Sequence, residues 1–287
     1  MAGNQIHLTM RASRRIGNAV SYVLLTLLAL YCLFPFVWML ISSFKPLNEI
    51  RVRVPSFIIK HPTFDNFISV LGPHHFAIYV RNSLIVALAA CALSLVISIL
   101  AGYAFSRFFR LRMVKYSNLV MLISQMIPGV LLLVPLYIVM RNLGILETYF
   151  SLILAYTTFV IPLCTFMLSS GFDSIPRSME EAAELDGCGK LATITKVILP
   201  VMLPNIVSVG LYAFINAWNE FMFGYIFISN DAHRTITPAI MLFKGSNSID
   251  WGGLMAASVI AIVPVALIFL FLQRYFIAGL MSGALKG

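Results

Sequence analysis

Charge is what this chain has least of. Only 11% of its residues are Asp, Glu, Lys or Arg, while 60% are hydrophobic and the mean hydropathy is +0.92. A soluble domain carries closer to a quarter charged residues. The scarcity excludes an ordinary water-soluble chain and places the sequence among integral membrane proteins, to which domain counting by length does not apply. Carboxylates are scarcer still: 11 Asp and Glu stand against 20 Lys and Arg, for a net charge of +9. A basic surplus can mark a nucleic-acid binder. Here the cations sit mainly at the ends of apolar runs, as membrane topology requires, so no nucleic-acid partner is expected.

The apparatus of catalysis is missing too. The four cysteines are Cys32, Cys91 and Cys164 inside apolar runs and Cys188 in a charged stretch. None has metal-site spacing, so they read as buried, inert thiols. His7, His61, His74, His75 and His233 all lie outside the apolar runs and read as loop residues, and no metal site is expected. Gly189-Lys190 is followed by Leu191 and lacks the first glycine of a phosphate loop, so it cannot cradle a nucleotide. No nucleophile–base set is visible. The chain is expected to have no catalytic residues, to bind no cofactor and not to be an enzyme.

What is present is a series of uncharged runs over 16–44, 82–106, 116–140, 148–172, 197–219 (extending to about 228) and 251–273. Each can cross about 30 Å of hydrocarbon as a helix. The first is too long for a secretory signal and lacks a small-residue cleavage site. Six spans put both termini on one side. A cytoplasmic N-terminus leaves twelve Lys and Arg inside against eight outside, the sense of the positive-inside rule. The expected organisation is a cytoplasmic segment 1–15, an all-α six-helix membrane domain 16–277 and a cytoplasmic tail 278–287. Pro35, Pro128, Pro135, Pro162, Pro204 and Pro264 fall within the runs; kinks are their ordinary consequence and hinges the more specific one.

The most charged stretch runs over about 174–199. Pro176 suits a first helical turn, and Ser178 with Glu181 three residues on reads as a capping box. Glu180, Glu181 and Glu184 favour the positive end of that helix dipole. Asp186-Gly187 stops it, with Gly free to turn left-handed. Leu191, Ile194, Val197 and Ile198 recur at helical spacing before Pro200. The product is a helix–turn–helix on the polar side of a membrane protein.

The fifth run is interrupted by Tyr212, Asn216, Trp218, Asn219 and Glu220. Tyr212, Asn216, Asn219 and Phe223 fall on one helical face. Glu220 is the only carboxylate inside an apolar run, and an ionisable group there is a functional-site candidate. One reading makes these residues a translocation path, with amides for sugar hydroxyls and an aromatic ring for the sugar's apolar face. The other has Asn219 and Glu220 bonding to neighbouring helices, or Glu220 solvated near the outer interface.

Glu181-Ala182-Ala183, then Gly187, Val197 and Leu199-Pro200, fit the pattern Glu-Ala-Ala, three residues, Gly, nine residues, aliphatic, one residue, Leu-Pro. This resembles the EAA loop of the membrane subunits of ABC importers, with Val197 where Ile is commoner. The resemblance makes Glu180, Glu181, Ala182, Ala183, Asp186, Gly187, Leu199 and Pro200 candidates for a coupling helix that docks on a cytoplasmic ATPase. It extends to Phe34-Pro35-Phe36-Val37-Trp38, Ser43-Phe44-Lys45-Pro46, Gly102 to Arg107, Gln125 to Pro128, Trp218 to Phe221 and Gly279 to Gly287. Over nearly the whole chain the sequence is similar to the smaller, six-span permease of the maltose transporter class.

That resemblance implies a type I importer fold in a bacterial inner membrane, importing a sugar or oligosaccharide by alternating access. It implies a second permease subunit, two copies of an ATPase that hold ATP and Mg, and an extracytoplasmic solute-binding protein. Gly283, Lys286 and Gly287 would reach the ATPase interface. Gly245, Ser246 and Asn247 would lie near the tip of an outer loop that enters the binding protein. A permease for a polyol or a glycerol phosphate derivative is an alternative, and a stand-alone transporter or channel another. One buried carboxylate and no clear repeat argue against an ion-coupled transporter, and a channel needs no coupling loop.

Overall fold

The computed structural model describes residues 2–245 and 248–284, with side chains for 17–245 and 248–274. Among these residues the regular elements are helices, joined by one isolated bridge between Lys244 and Ile249. We number the principal ones α1 (Ala2–Ser43), α2 (Phe76–Arg107), α3 (Arg112–Ser124), α4 (Gly129–Asn142), α5 (Tyr149–Asp173), α6 (Arg177–Leu185), α7 (Lys190–Val201), α8 (Leu203–Asn219), α9 (Met222–Phe227) and α10 (Trp251–Ala284).

Small residues set the tightest contact. Ala87, Ala90, Ser94, Ser98 and Gly102 recur at three- and four-residue steps along α2 and are all buried. They let α5 approach closely, as small-residue stripes do between membrane helices. At Gly102 a Cβ would lie 3.0 Å from the Ser169 backbone nitrogen and 3.1 Å from Leu168 Cβ. Ser98 Oγ donates to the Ile161 carbonyl at 3.3 Å across the same seam. α8 packs against both α2 and α5, and α10 packs on α8. α1 runs along α10, with large apolar side chains from Val20 to Leu33 exposed.

Two expected spans are not straight. The run 116–140 breaks after Ser124, and its halves α3 and α4 meet at 100°. Pro128 lacks an N–H and disfavours helical geometry at Ile127; Gly129 starts the next helix as a 3₁₀ turn. The run 197–219 turns through 83° at Met202, between Pro200 and Pro204, and α8 stops at Asn219, so the path face does not continue as helix to Phe223. Four helices among the described residues are long and apolar enough to cross a membrane; the total is six when each bent pair is one span. Helix also extends past two expected boundaries, back to Ala2 and on to Ala284. Cys164 is buried as expected, but Cys91 and Cys188 are only half-buried and Cys32 is exposed on α1.

At the end of the bundle where α2 begins, loops are fastened by side chains. Asn82, fully buried, donates to the carbonyls of Ala232 (2.9 Å) and Arg234 (2.8 Å) and accepts from the Tyr149 hydroxyl (2.7 Å). Ser83 Oγ accepts the Ile236 N–H at 2.7 Å. The Glu147 carboxylate accepts N–H groups from Ser229 and Asn230. The helix–turn–helix of α6 and α7 lies at the other end, against the close of α2 and α5.

Candidate functional site

Two places gather the candidate residues: the helix–turn–helix, and a cavity where both broken spans are interrupted. α6 begins at Arg177. Pro176 is therefore its cap residue and not its first helical residue, and no side chain caps the helix, so the Ser178–Glu181 capping box is not formed. Its far end closes as expected. Gly187 has φ +86°; its N–H donates to the Glu184 carbonyl at 3.0 Å and the Cys188 N–H to the Ala183 carbonyl at 2.9 Å. These two bonds are the Schellman pair that satisfies carbonyls left open at a helix end. Beyond the turn, α7 carries a π-helical segment over Thr193–Ile198.

α6 has two faces. Ala183 is buried, and Glu180 is drawn inward to Arg107 in an ion pair whose side chains are 8% (Arg107) and 13% (Glu180) exposed. Tyr103 donates to the other Glu180 oxygen at 3.0 Å. Glu181, Ala182, Glu184 and Asp186 face outward. Leu185 is 89% exposed and Leu191, just past the turn, 71%. Leu199 is half-buried and Pro200 exposed at the bend into α8. The sequence reading missed Tyr103 and Arg107 as partners of Glu180. Their signal was present: a Tyr and an Arg one helical turn apart at the end of an apolar run that otherwise carries no such pair.

The cavity holds about 250 Å³. Tyr156, Phe159 and Val160 of α5, Tyr212, Asn216 and Ala217 of α8, and Glu220, Met222 and Phe223 line it, with Gly129 and Val130 from the other interruption. Irregular backbone at membrane depth is tolerated where it is buried in protein or lines a cavity. Glu220 ends α8 in extended conformation, and its carboxylate accepts the N–H groups of Phe223 (3.0 Å) and Gly224 (3.1 Å). Of the two readings of Glu220, the carboxylate serves both here: it bonds the start of the neighbouring helix α9 and also lines the cavity. Thr237 Oγ1 donates to the Glu220 carbonyl, fixing the break from outside. Asn216 Nδ2 donates to the Tyr212 carbonyl at 2.8 Å. The buried Tyr156 hydroxyl of α5 faces the Glu220 carboxylate and the Thr235 hydroxyl.

Of the path candidates, Tyr212, Asn216 and Glu220 therefore meet at one cavity. Trp218 does not join them: it is buried, donates Nε1–H to the Ala261 carbonyl at 3.2 Å and stacks on Phe214. Asn219 is exposed and does not line the cavity. Tyr156 and Phe159 were missed because nothing in the apolar run 148–172 marks them.

Of the outer-loop candidates, Gly245 is exposed beside the Lys244–Ile249 bridge, and Ser246 and Asn247 lie outside the described residues. Gly283 lies in the last turn of α10; Lys286 and Gly287 lie outside the described residues. Among the described residues no group of three or more His, Cys, Asp or Glu is placed to hold a metal ion.

Residues 94–281 match the family described as "Binding-protein-dependent transport system inner membrane component". The sulfoquinovosyl glycerol transport system permease protein SmoH of Agrobacterium fabrum is 37% identical, over 94% of this chain and 95% of its own length. The trehalose/maltose transport system permease protein MalG of Thermococcus litoralis is also 37% identical, over 91% and 94%. The inner membrane ABC transporter permease protein YcjP of Escherichia coli is 34% identical, over 96% and 98%. Among solved structures, a chain of a bacterial ABC transporter involved in import of the acidic polysaccharide alginate superimposes with a TM-score of 0.80, over 92% of this chain and 98% of that one. At 21% identity this likeness shows the fold alone.

Proposed function

This chain belongs to the family of binding-protein-dependent transport system inner membrane components, and from that premise we infer that it is the permease half-pore of an ATP-driven sugar or oligosaccharide importer. Curated relatives named for trehalose, maltose and diacetylchitobiose transport support the substrate class. The single observation that carries the coupling role is the outward face of α6. In a chain with few charges, this short helix presents Glu181, Glu184, Asp186 and an 89% exposed Leu185 to its surroundings. An apolar knob inside a charged rim suits a protein partner.

In this reading α6 and α7 face the cytoplasm, both termini lie on that side, and α6 docks on one of two ATPase subunits that hold ATP and Mg. A second permease completes the pore, and a loaded binding protein docks on the opposite face, near Gly245 to Asn247. Gly283, Lys286 and Gly287 reach toward the ATPase. ATP and the loaded binding protein both favour the outward-facing state, so each raises the affinity for the other. Substrate passes the cavity at the two helix interruptions, where Tyr212, Asn216 and Glu220 line the wall beside the paired rings of Phe159 and Phe223. A glycerol-linked sugar is a second reading, favoured by the relative named for sulfoquinovosyl glycerol transport.

Mass spectrometry of what co-purifies with the tagged chain from its native membrane tests this. Stoichiometric recovery of an ATPase and a second, different permease is the expected result. An ATPase without a second permease would make the pore a homodimer. Recovery of the chain alone, under conditions that keep such complexes intact, would point to a stand-alone transporter.

A further inference from the structure

The last turn of α2 reaches into α6 through two side chains. Tyr103 Oη donates to Glu180 Oε2 at 3.0 Å, and Arg107 Nε donates to Glu180 Oε1 at 2.5 Å. The rest of the guanidinium is also engaged. Nη1 donates to Ser106 Oγ at 2.9 Å, and Nη2 donates to the Ile175 carbonyl at 3.2 Å, in the link between α5 and α6. Ser106 Oγ in turn donates to Asp173 Oδ1, at the end of α5, at 2.5 Å. The Tyr103 ring meets Phe172 edge-on at 5.4 Å between centroids. One planar fork, of a kind that Lys cannot reproduce, thus joins α2 to α6 and to the link at Ile175, and the Ser106 hydroxyl it bonds reaches the end of α5 at Asp173.

The other side of the helix–turn–helix is joined differently. α7 passes through its π-helical segment and then bends 83° at Met202 before α8 begins. α5, on the clamped side, carries Tyr156, Phe159 and Val160 into the wall of the cavity.

We propose that Arg107 is a positioning residue for the transport step: it makes α6 one rigid body with α2 and α5, so that a displacement of α6 reaches the α5 wall of the cavity undiminished. The proposal rests on reading α6 as the coupling helix, but the clamp lies wholly within this chain and can be tested apart from that reading. Without the guanidinium, the half-buried Glu180 carboxylate keeps only Tyr103 as a side-chain partner, and a carboxylate that loses its cation in a partly desolvated joint is disfavoured there. α6 would then be free to leave the joint, and its motion would be absorbed there.

The test is a spin-label distance across the joint, in the complex drawn from its membrane. Labels go on Ser178→Cys in α6 and Leu100→Cys on the exposed face of α2, after Cys32, Cys91, Cys164 and Cys188 have been replaced by Ala. One narrow distance, unmoved by a non-hydrolysable ATP analogue with Mg, is expected with Arg107 in place. Arg107→Gln is expected to widen the distribution at least twofold, and the exchanged pair Arg107→Glu with Glu180→Arg to narrow it again. Where Arg107→Gln fails to accumulate, the isosteric Glu180→Gln replaces it and is expected to widen the distribution too. A width unchanged by loss of the pair, or a distance that shifts with nucleotide while Arg107 is present, overturns the proposal. Failure of an ATPase to co-purify would overturn the coupling-helix reading instead, and would leave the nucleotide-free distances to judge the clamp.

Discussion

Glu180 and Glu181 are consecutive, and their side chains have opposite fates. Glu180 is held by Arg107 and Tyr103 in a nearly dry joint, whereas Glu181 is exposed and makes no hydrogen bond among the described residues. The first carboxylate fastens α6 to its own chain. The second, with Leu185, is free to meet something else.

Leu185 is therefore expected to act at an interface and not in folding. Leu185→Asp should leave the amount of permease in the membrane unchanged and reduce the ATPase it retains. Burying a leucine contributes about 1.5–3 kcal/mol, so the loss of affinity should be about tenfold or more. Quantitative pull-down checks it; undiminished retention would show that α6 does not dock through this side chain.

Gly187 needs its left-handed backbone and nothing else. A Cβ there would meet no atom within 4 Å, so a substitution is opposed by φ alone. Such strain costs about 1–3 kcal/mol at a non-glycine residue. Gly187→Val is expected to reach the membrane but not to couple transport, while Gly187→Asn, which tolerates that region better, should retain part of the uptake. Full sugar uptake by the valine variant would refute the assignment of the turn.

Glu220 and Asn216 separate structure from path. Glu220→Ala leaves two backbone N–H groups without their acceptors, at about 1–3 kcal/mol each, and should lower the amount of folded permease. Asn216→Ala disturbs only a bond to its own helix and should lower uptake at normal abundance. Normal uptake in the Asn216 variant would remove that side chain from the path, whatever Glu220 does.

A pH effect is expected in the loop after α1. Desolvation pushes the Glu49 carboxyl up, but N–H groups of Lys60 and His61 and the His61 ring outweigh it and hold the group below its ordinary 4.5. A depressed carboxylate favours the folded loop above that value, and the benefit is lost as pH falls through the folded pKa. Phe57 of this loop packs on Trp38 at 5.2 Å. Trp38 fluorescence, read with Trp218 and Trp251 replaced by Phe, should show a change that depends on Glu49, absent in Glu49→Gln, only below about pH 4.5. A midpoint above that value would contradict the arrangement.

Much of this was legible in the sequence, for identifiable reasons. Apolar runs need no partner to declare themselves, so the bundle of helices could be read from composition and length. The turn at Gly187 is set by three or four local residues and was equally plain. The break at Pro128 was visible as a proline but not as a 100° bend, because a kink and a break share the same local signal and only packing separates them. Trp218 looked like part of a path by its position beside Asn219, yet its ring is spent on Phe214 and Ala261, contacts that depend on where α10 lies. Tyr103 and Arg107 stood out locally as a polar pair at the end of an apolar run, but their partner Glu180 is 73 residues beyond Arg107, and no local pattern carries that pairing.

Asn82 gives the opposite face of the molecule a particular character. Because one buried amide grips two carbonyls of the 229–236 segment, with Ser83 and Glu147 holding it on either side, that segment is already ordered before anything touches it. Fixing a free backbone costs about 1–2 kcal/mol per residue. A protein that settled on this surface would meet residues already tied to α2 and to Glu147, so less of its contact energy would go into ordering the segment.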